Sequence, residues 1–229
     1  MNASAIIVAA GSGTRLGLDL PKAFVRIGDS TLLLRALRTL RAVSAVDEAV
    51  ITVPAGMEQL ARGEVNSSGL EIPVKITPGG IERQDSVRIA LSLVSVEAEI
   101  VIIHDAARPF ATSAMFAACV ETAARAGGAV TAIPVADTLK RVAGRTIEST
   151  QLRAGLWQAQ TPQAFQRALL VDAHSRALRD GIAATDDADL VERIGATVEV
   201  VEGSPMNLKI TTRDDLAIAE AIVARSERS

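Results

Sequence analysis

A short apolar run near the start of the chain leads directly into a glycine-rich segment. Residues 5–9 predict a β-strand, and residues 9–17 follow it with the sequence AAGSGTRLG. Parallel α/β sheets bind phosphate groups at glycine-rich turns that follow the carboxyl end of a first strand. Two basic residues accompany it, Arg15 within the segment and Lys22 shortly after it, and Pro21 argues against a helix that begins at the turn. The segment therefore predicts a loop wrapped around a nucleoside triphosphate.

Strand-like and helix-like segments alternate along the rest of the chain. Apolar residues recur three or four positions apart, as in amphipathic helices, at 32–40, 87–94, 115–126 and 216–224. Strand-like runs occur at 5–9, 49–53, 74–76, 100–104, 129–135, 197–201 and 208–210. Several of these runs are apolar without alternation, as expected for parallel strands covered on both faces. This alternation, in a chain of 229 residues, predicts a single α/β domain over 1–229 with a mostly parallel sheet flanked by helices.

One segment, residues 137–161, breaks this alternation. It is polar, carries four basic residues, and contains the turn-like pair Ala143-Gly144. It predicts a β-hairpin, or arm, that projects from the edge of the sheet. Because exposed strand edges tend to pair with other chains, we expect the arm to form a homodimer.

Composition excludes several classes of protein. The net charge is −3 and aromatic residues make up 2% of the chain, so extended nucleic-acid binding is not expected. No apolar run approaches the length of about 18 residues that a membrane-spanning helix needs. A single cysteine, Cys119, excludes an intrachain disulfide and is expected to be buried. No signal peptide is evident, so we expect a cytoplasmic location.

Two common phosphate-binding motifs do not fit the glycine-rich segment. A dinucleotide fingerprint needs glycine where Leu16 stands, and this argues against an NAD-dependent dehydrogenase. A P-loop needs Gly-Lys followed by Ser or Thr at the start of a helix, which the segment lacks. A non-catalytic nucleotide sensor would be favoured if Arg15 or Lys22 were missing, and both are present.

Several motifs in order give the chain a resemblance to a known family. They are AAGSGTRLG and PKAF, then PGGIERQDSV, HDAARPF, PVADTLKR, LRAGLWQAQTPQ, TDDA and NLKITTRDDL. The chain resembles, nearly end to end, the 2-C-methyl-D-erythritol 4-phosphate cytidylyltransferases, which belong to the Rossmann-like nucleotidyltransferases. The resemblance implies transfer of CMP from CTP to 2-C-methyl-D-erythritol 4-phosphate in the non-mevalonate isoprenoid precursor pathway, with release of pyrophosphate. A related reaction on another polyol phosphate, such as ribitol 5-phosphate, is left open.

The resemblance also implies which residues bind CTP. Arg15 and Lys22 would contact the triphosphate and stabilise the transition state, and their cationic groups suit that task. Small residues that let the main chain approach the ligand would form the nucleotide pocket, namely Ala9, Ala10 and Gly11 with Gly80 and Ser86. Ser86 has a second interpretation, as a cap of the helix that follows it.

A second group would bind the acceptor. By the resemblance, Arg153, Thr161 and Lys209 receive the acceptor phosphate, and Thr138 reaches the acceptor site of a neighbouring subunit. Arg108 would pair with a phosphate or with the arm of the other subunit.

A divalent cation, such as Mg²⁺, is expected from the resemblance. Mg²⁺ is held by one or two carboxylates together with substrate phosphates, and Asp105 is assigned to the metal or to the acceptor. His104 and His174 are expected to be structural. Asp186 and Asp187 are expected to cap a helix.

Overall fold

The computed structural model describes residues 2–18 and 20–226, except for the side chains of Arg15 and Ser226. The strands are β1 (Ala3–Val8), β2 (Arg26–Ile27), β3 (Ser30–Thr31), β4 (Val46–Val53), β5 (Val74–Pro78), β6 (Ile100–Asp105), β7 (Gly128–Pro134), β8 (Leu139–Ala143), β9 (Thr146–Gln151), β10 (Trp157–Gln166) and β11 (Val198–Glu202). The helices are α1 (Leu32–Arg41), α2 (Glu58–Ser68), α3 (Arg83–Leu91), α4 (Ser113–Ala126), α5 (Arg167–Asp180), α6 (Asp187–Arg193) and α7 (Arg213–Ser226).

Seven strands form the central sheet, in the order β11-β7-β10-β6-β1-β4-β5. All neighbours pair in parallel except β10, which is antiparallel to both β6 and β7. The predicted α/β fold with a mostly parallel sheet is therefore confirmed. In the register of β1 and β6, Val8 lies opposite Asp105, so the chain leaves these two strands side by side at one edge of the sheet.

Helices cover both faces of the sheet. On β1, Ile7 packs in the same cluster as residues of α1, α2 and α4, whereas Ile6 packs with residues of α3, α5 and α6. Successive side chains of a strand point to opposite faces. A strand buried on both faces therefore needs an uninterrupted apolar sequence, and this explains why these strands could be found in the sequence.

Two predicted elements are corrected by the structure. Residues 208–210 do not form a strand: Leu208 and Ile210 pack with Val223 of α7 in an apolar cluster, and Ile210 N–H donates to the Ala107 carbonyl. Packing rather than strand pairing explains their apolar character. Lys209 therefore lies in a loop and not in the strand predicted at 208–210.

The arm in the structure is shorter than the predicted range of 137–161. Strands β8 and β9 form a separate two-stranded hairpin. Residues 157–161 belong instead to β10, which crosses the central sheet between β6 and β7. Residues 157–161 were included in the predicted arm because they are mostly polar. In the sheet, this polar stretch continues into the buried pair Ala164 and Phe165.

Polar side chains cap the N-termini of two helices, and for α6 this confirms the cap predicted at Asp186 but not at Asp187. Asp215 N–H donates to Thr212 Oγ1 (3.2 Å), and Thr212 N–H donates to Asp215 Oδ2 (2.8 Å), which is the reciprocal capping box at the start of α7. Asp186 caps α6 by accepting from Asp189 N–H (2.9 Å). Cys119 is buried as expected, and burial raises the pKa of its thiol to about 11. Within 2–18 and 20–226, the helices are too short or too polar to span a bilayer.

Candidate active site

A cleft of about 240 Å³ opens at the carboxyl ends of β1 and β6. One wall is the main chain after β1, a second is the turn between β5 and α3, and the floor is the end of β6. This is the edge at which open α/β sheets bind ligands. Most of the predicted site residues line the cleft, namely Ala9, Ala10, Gly11, Lys22, Gly80, Ser86, Asp105 and Lys209.

The loop after β1 folds back on itself so that Lys22 faces the cleft. Gly13 has a φ of +71°, and a β-carbon added to it would lie 2.8 Å from Lys22 Cβ and 3.1 Å from Lys22 N. Only glycine permits both this backbone conformation and this close approach. Lys22 begins a short 3-10 turn, Lys22–Phe24, whose Ala23 and Phe24 are buried in the core. Arg15 belongs to a second 3-10 turn, Thr14–Leu16, but its side chain lies outside the described residues.

The last helix holds the same loop from the other side. The Arg213 guanidinium donates to the Leu16 carbonyl (3.0 Å) and to the Gly17 carbonyl (3.1 Å). These two carbonyls lie nearly 200 positions away in the sequence. Arg213 therefore anchors the loop to α7, a role that the sequence did not indicate.

The second wall is a tight turn in which Gly79 and Gly80 lie close to neighbouring residues of the cleft. A β-carbon on Gly79 would lie 2.3 Å from Ala10 Cβ, and one on Gly80 would lie 2.3 Å from Asp85 Cβ. Ser86 Oγ accepts from Gly80 N–H (3.1 Å) and donates to the Glu82 carbonyl (3.2 Å). Ser86 lies inside α3 and not at its N-cap, so its interpretation as a helix cap is wrong. Its hydroxyl instead fixes the shape of the turn.

Asp105 lies between two cations at the floor of the cleft. Its Oδ1 accepts from Arg83 Nε (2.9 Å), and its Oδ2 accepts from Lys209 Nζ (2.6 Å). Burial by itself would raise the pKa of Asp105, but Arg83 and Lys209 outweigh that effect and hold the pKa well below its ordinary value. Asp105 is therefore a carboxylate, and both of its oxygens already accept charged hydrogen bonds.

The same arrangement bears on the expected metal. Each oxygen of Asp105 accepts one charged hydrogen bond and keeps a lone pair, so Asp105 could supply at most one carboxylate ligand, in competition with Arg83 and Lys209. The residues described by the structure contain no group of three or more His, Cys, Asp or Glu side chains placed to hold a metal ion. The described side chains thus do not fit a cation held by the protein alone.

His104 and Thr161 lie next to Asp105 in a buried network. His104 Nε2 lies 3.2 Å from the Arg108 carbonyl, which can only accept, so Nε2 carries a proton. Burial lowers the pKa of His104 to about 4, so the ring is neutral and its Nδ1 accepts from the Thr161 hydroxyl (3.1 Å). Thr161 Oγ1 in turn accepts from Asp105 N–H (3.0 Å). The Thr161 hydroxyl therefore has no proton left for a phosphate, although one lone pair remains for a substrate hydroxyl group.

A second cavity shares Arg83, Asp105 and Lys209 with the cleft. Its other lining residues come from β10 and from the loop before α6, with Arg108 from the loop after β6, and they are Arg108, Ala159, Gln160, Thr161, Gln163, Thr185 and Asp186. Arg108 donates to the carbonyls of Asn207 (2.8 Å) and Ala159 (3.2 Å) within its own chain. Thr161 and Arg108 are thus brought beside Lys209.

The remaining predicted residues, Thr138 and Arg153, flank the hairpin formed by β8 and β9. Both are exposed, and neither lines the two cavities formed by the described residues. Arg153 donates instead to the carbonyl of Ala136. A single chain therefore does not bring them to the site.

Sequence reasoning missed the importance of Arg83 and Asp187. Arg83 Nη1 donates to Asp187 Oδ2 (2.7 Å), and His174 Nε2 lies 3.0 Å from Asp187 Oδ1. His174 therefore makes a polar contact in addition to packing, and Asp186 alone is the N-cap of α6. The motifs PGGIERQDSV and TDDA contain these residues. The two residues lie 104 positions apart in the sequence, so no local pattern could predict that they touch.

Comparison with known proteins identifies the family. The model of the IspD family, 2-C-methyl-D-erythritol 4-phosphate cytidylyltransferase, matches residues 3–225. The chain is 46% identical to the enzyme of that name from Deinococcus radiodurans, covering 96% of this chain and 88% of the relative. It is also 46% identical to the bifunctional IspD/IspF enzyme of an Anaeromyxobacter species, of which it spans 57%.

Solved structures agree. The 2-C-methyl-D-erythritol 4-phosphate cytidylyltransferase of Thermus thermophilus is 37% identical with a TM-score of 0.81, over 97% of this chain and 98% of that one. The 4-diphosphocytidyl-2C-methyl-D-erythritol synthase of Anaerococcus prevotii is 28% identical with a TM-score of 0.86, over 97% and 96% of the two chains. The resemblance drawn from the motifs is confirmed: the chain belongs to the 2-C-methyl-D-erythritol 4-phosphate cytidylyltransferase family and is a nucleotidyltransferase.

Proposed function

We propose that this chain transfers CMP from CTP to 2-C-methyl-D-erythritol 4-phosphate in the non-mevalonate isoprenoid precursor pathway. An acceptor phosphate oxygen forms a bond to the α-phosphorus of CTP. The bond from that phosphorus to the bridging oxygen breaks, and pyrophosphate leaves with the electron pair. The observation that carries the proposal is the placement of Lys22 and Lys209 in one cleft, with glycine-lined main chain between them.

Charge is the main obstacle to this reaction, because nucleophile, electrophile and leaving group are all anionic. Fixed cations lower the repulsion and stabilise charge that develops in the transition state. Lys22 from the β1 loop is assigned to the triphosphate, together with Arg15. No general base is required, since the acceptor phosphate is already ionised.

The nucleotide is assigned to the two walls of the cleft. Ala9, Ala10 and Gly11 on one side, with Gly80 on the other, expose main chain rather than side chains. Main-chain donors and acceptors read the edge of a base with high selectivity, because a wrong base leaves buried polar groups unpaired. Ser86 supports this wall from behind by bonding the Gly80 N–H.

The acceptor is assigned to the second cavity, with its phosphate on Lys209. Thr161 and Arg108 border that cavity, and Asp105 separates it from the nucleotide. The lone pair left on Thr161 Oγ1 suits a hydroxyl group of the polyol.

Arg153 and Thr138 would join the acceptor site from a second copy of the chain. An isolated two-stranded hairpin is only marginally stable in water. The arm and the segment that follows it also expose apolar side chains, including Ile147 at 60% and Leu152 at 89%. Pairing of two arms in a homodimer would cover these side chains.

Mg²⁺ is kept as a proposed cofactor that enters as part of the CTP complex. Phosphate oxygens are ligands that Mg²⁺ prefers, and the protein side chains that are described do not supply a cage of their own. A cytoplasmic location and the absence of nucleic-acid partners stay predictions.

Pyrophosphate release from the purified chain tests the proposed function. The chain is incubated with CTP, Mg²⁺ and either 2-C-methyl-D-erythritol 4-phosphate or ribitol 5-phosphate, with ATP, GTP and UTP as alternative donors. We expect turnover with CTP and the methylerythritol phosphate. Turnover with ribitol 5-phosphate alone would favour the other acceptor, and CTP binding without turnover on any polyol phosphate would favour a sensor.

A further inference from the structure

Arg83 lies between two carboxylates that come from distant parts of the chain. Its Nε donates to Asp105 Oδ1 (2.9 Å) at the end of β6, and its Nη1 donates to Asp187 Oδ2 (2.7 Å) at the start of α6. His174 from α5 completes the far end of this chain of contacts, 3.0 Å from Asp187 Oδ1. Lys209 completes the near end, 2.6 Å from Asp105 Oδ2.

Asp187 has no direct access to the substrates. Its side chain is 1% exposed, and it lines neither cavity among those formed by the described residues. A buried ion pair is weak evidence for a stabilising role, because desolvation of the charges offsets most of their attraction. The buried carboxylate of Asp187 therefore needs an explanation other than stability.

Geometry offers that explanation. The guanidinium group is a planar fork, and a fork held at both ends has little freedom to rotate. With Asp187 at one end, Arg83 fixes the position of Asp105 at the other. Asp105 then holds the Lys209 ammonium, which would otherwise depend on a loop without regular secondary structure.

We propose that Asp187 and Arg83 are positioning residues for the acceptor: through Asp105 they hold Lys209 at the boundary between the two cavities. The inference rests on the proposed function in assigning Lys209 to the acceptor phosphate. Loss of either residue would leave the charge of Lys209 in place but let its Nζ move. Small displacements of a group that aligns a nucleophile reduce the rate strongly.

The first test compares D187N and R83K with the wild-type protein in steady-state assays. In D187N an amide oxygen still accepts from Arg83 but without charge, and in R83K an ammonium cannot reach both carboxylates. We expect each variant to lose about tenfold in kcat/KM for the polyol phosphate, with KM for CTP changed less than about twofold. R88M is the matched control, since Arg88 forms a half-buried pair with Asp85 on the same helix and lines neither cavity, and it should behave as wild type.

The second test follows Lys209 without turnover. Acetylation of the substrate-free protein, mapped by mass spectrometry, compares Lys209 with Lys75, whose ion pair with Glu48 lies elsewhere. We expect Lys209 to react faster in D187N than in wild type, while Lys75 is unchanged.

Unchanged Lys209 reactivity and unchanged kinetics for both substrates would overturn the inference. So would equal losses for CTP and acceptor together with a lower Tm, because that pattern indicates a structural role alone. If R83K does not fold, D187N carries the test by itself. Failure of the wild-type chain to turn over any polyol phosphate would instead overturn the proposed function, and the labelling result would still report on the positioning of Lys209.

Discussion

Gly13 and Lys22 lie against each other across the loop that follows β1. The positive φ of Gly13, at +71°, directs the chain so that Lys22 returns beside it, where an added β-carbon would be 2.8 Å from Lys22 Cβ. The position of Lys22, which we propose binds the triphosphate, thus depends on the absence of a side chain nine residues earlier.

Gly13→Ala should therefore reduce activity by moving Lys22. We expect kcat to fall by about tenfold and stability to fall by about 1 kcal/mol from the strained backbone. Gly181→Ala is the matched control: Gly181 has a similar φ of +65° with no atom within 4 Å of an added β-carbon. It should show the stability loss with normal kinetics, and an equal loss of kcat in both variants would contradict the account.

Lys22→Ala should lose about 10²–10³ in kcat, the scale found when one preorganised donor to a transition state is removed. Pyrophosphate release at saturating CTP and acceptor measures this loss. Lys75→Ala, whose ammonium pairs with Glu48 away from both cavities, serves as the control for removal of a lysine. A near-normal kcat in Lys22→Ala would refute its assignment to the triphosphate.

Arg153→Ala should raise KM for the polyol phosphate far more than KM for CTP.

If Arg153 acts on the site of a second copy, mixing Arg153→Ala with Lys22→Ala chains should restore activity. In such a mixed dimer one site receives both intact residues, so a random mixture should reach about a quarter of wild-type activity. Solution mass gives the oligomeric state directly. A monomer at micromolar concentration, or no recovery on mixing, would argue against the homodimer.

Acidification should destabilise the fold through His104. Burial lowers the folded pKa of His104 to about 4, from an ordinary value of 6.5. Between these values the unfolded chain binds more protons, so the free energy of unfolding should decrease as the pH falls from 6.5 towards 4. The full contribution is about 3 kcal/mol. Denaturant titrations at several pH values measure it, and His104→Gln should show a shallower dependence. Equal slopes in both proteins would show that another group is responsible.

Strands and helices could be predicted from the sequence where burial alone determines which positions are apolar. Strands such as β1 and β6 are apolar without interruption because helices cover both faces. The apolar character of Leu208 and Ile210 has a different origin, packing under α7, and it predicted a strand that is not there. Strand β10 was not predicted because its first three residues, beginning with Trp157, are exposed, and the sequence that follows Trp157 up to Gln163 is mostly polar.

The site divides in the same way. Lys22 and Ser86 follow glycines in recognisable motifs, and the carboxyl ends of neighbouring parallel strands bring those motifs together. The contacts of Arg83 and Arg213 could not be predicted, because each joins segments about 100 to 200 positions apart through a single side chain. The sequence likewise could not predict that the Thr161 hydroxyl donates its proton to His104, because only the folded chain places the two side chains together.

A crystal structure of the chain with bound CTP would show where the nucleotide lies. We expect the triphosphate in the cleft against Lys22 and the main chain of residues 9–17, with the base between Ala10 and Gly80. A nucleotide bound elsewhere, with the Lys22 ammonium directed into solvent, would contradict this expectation.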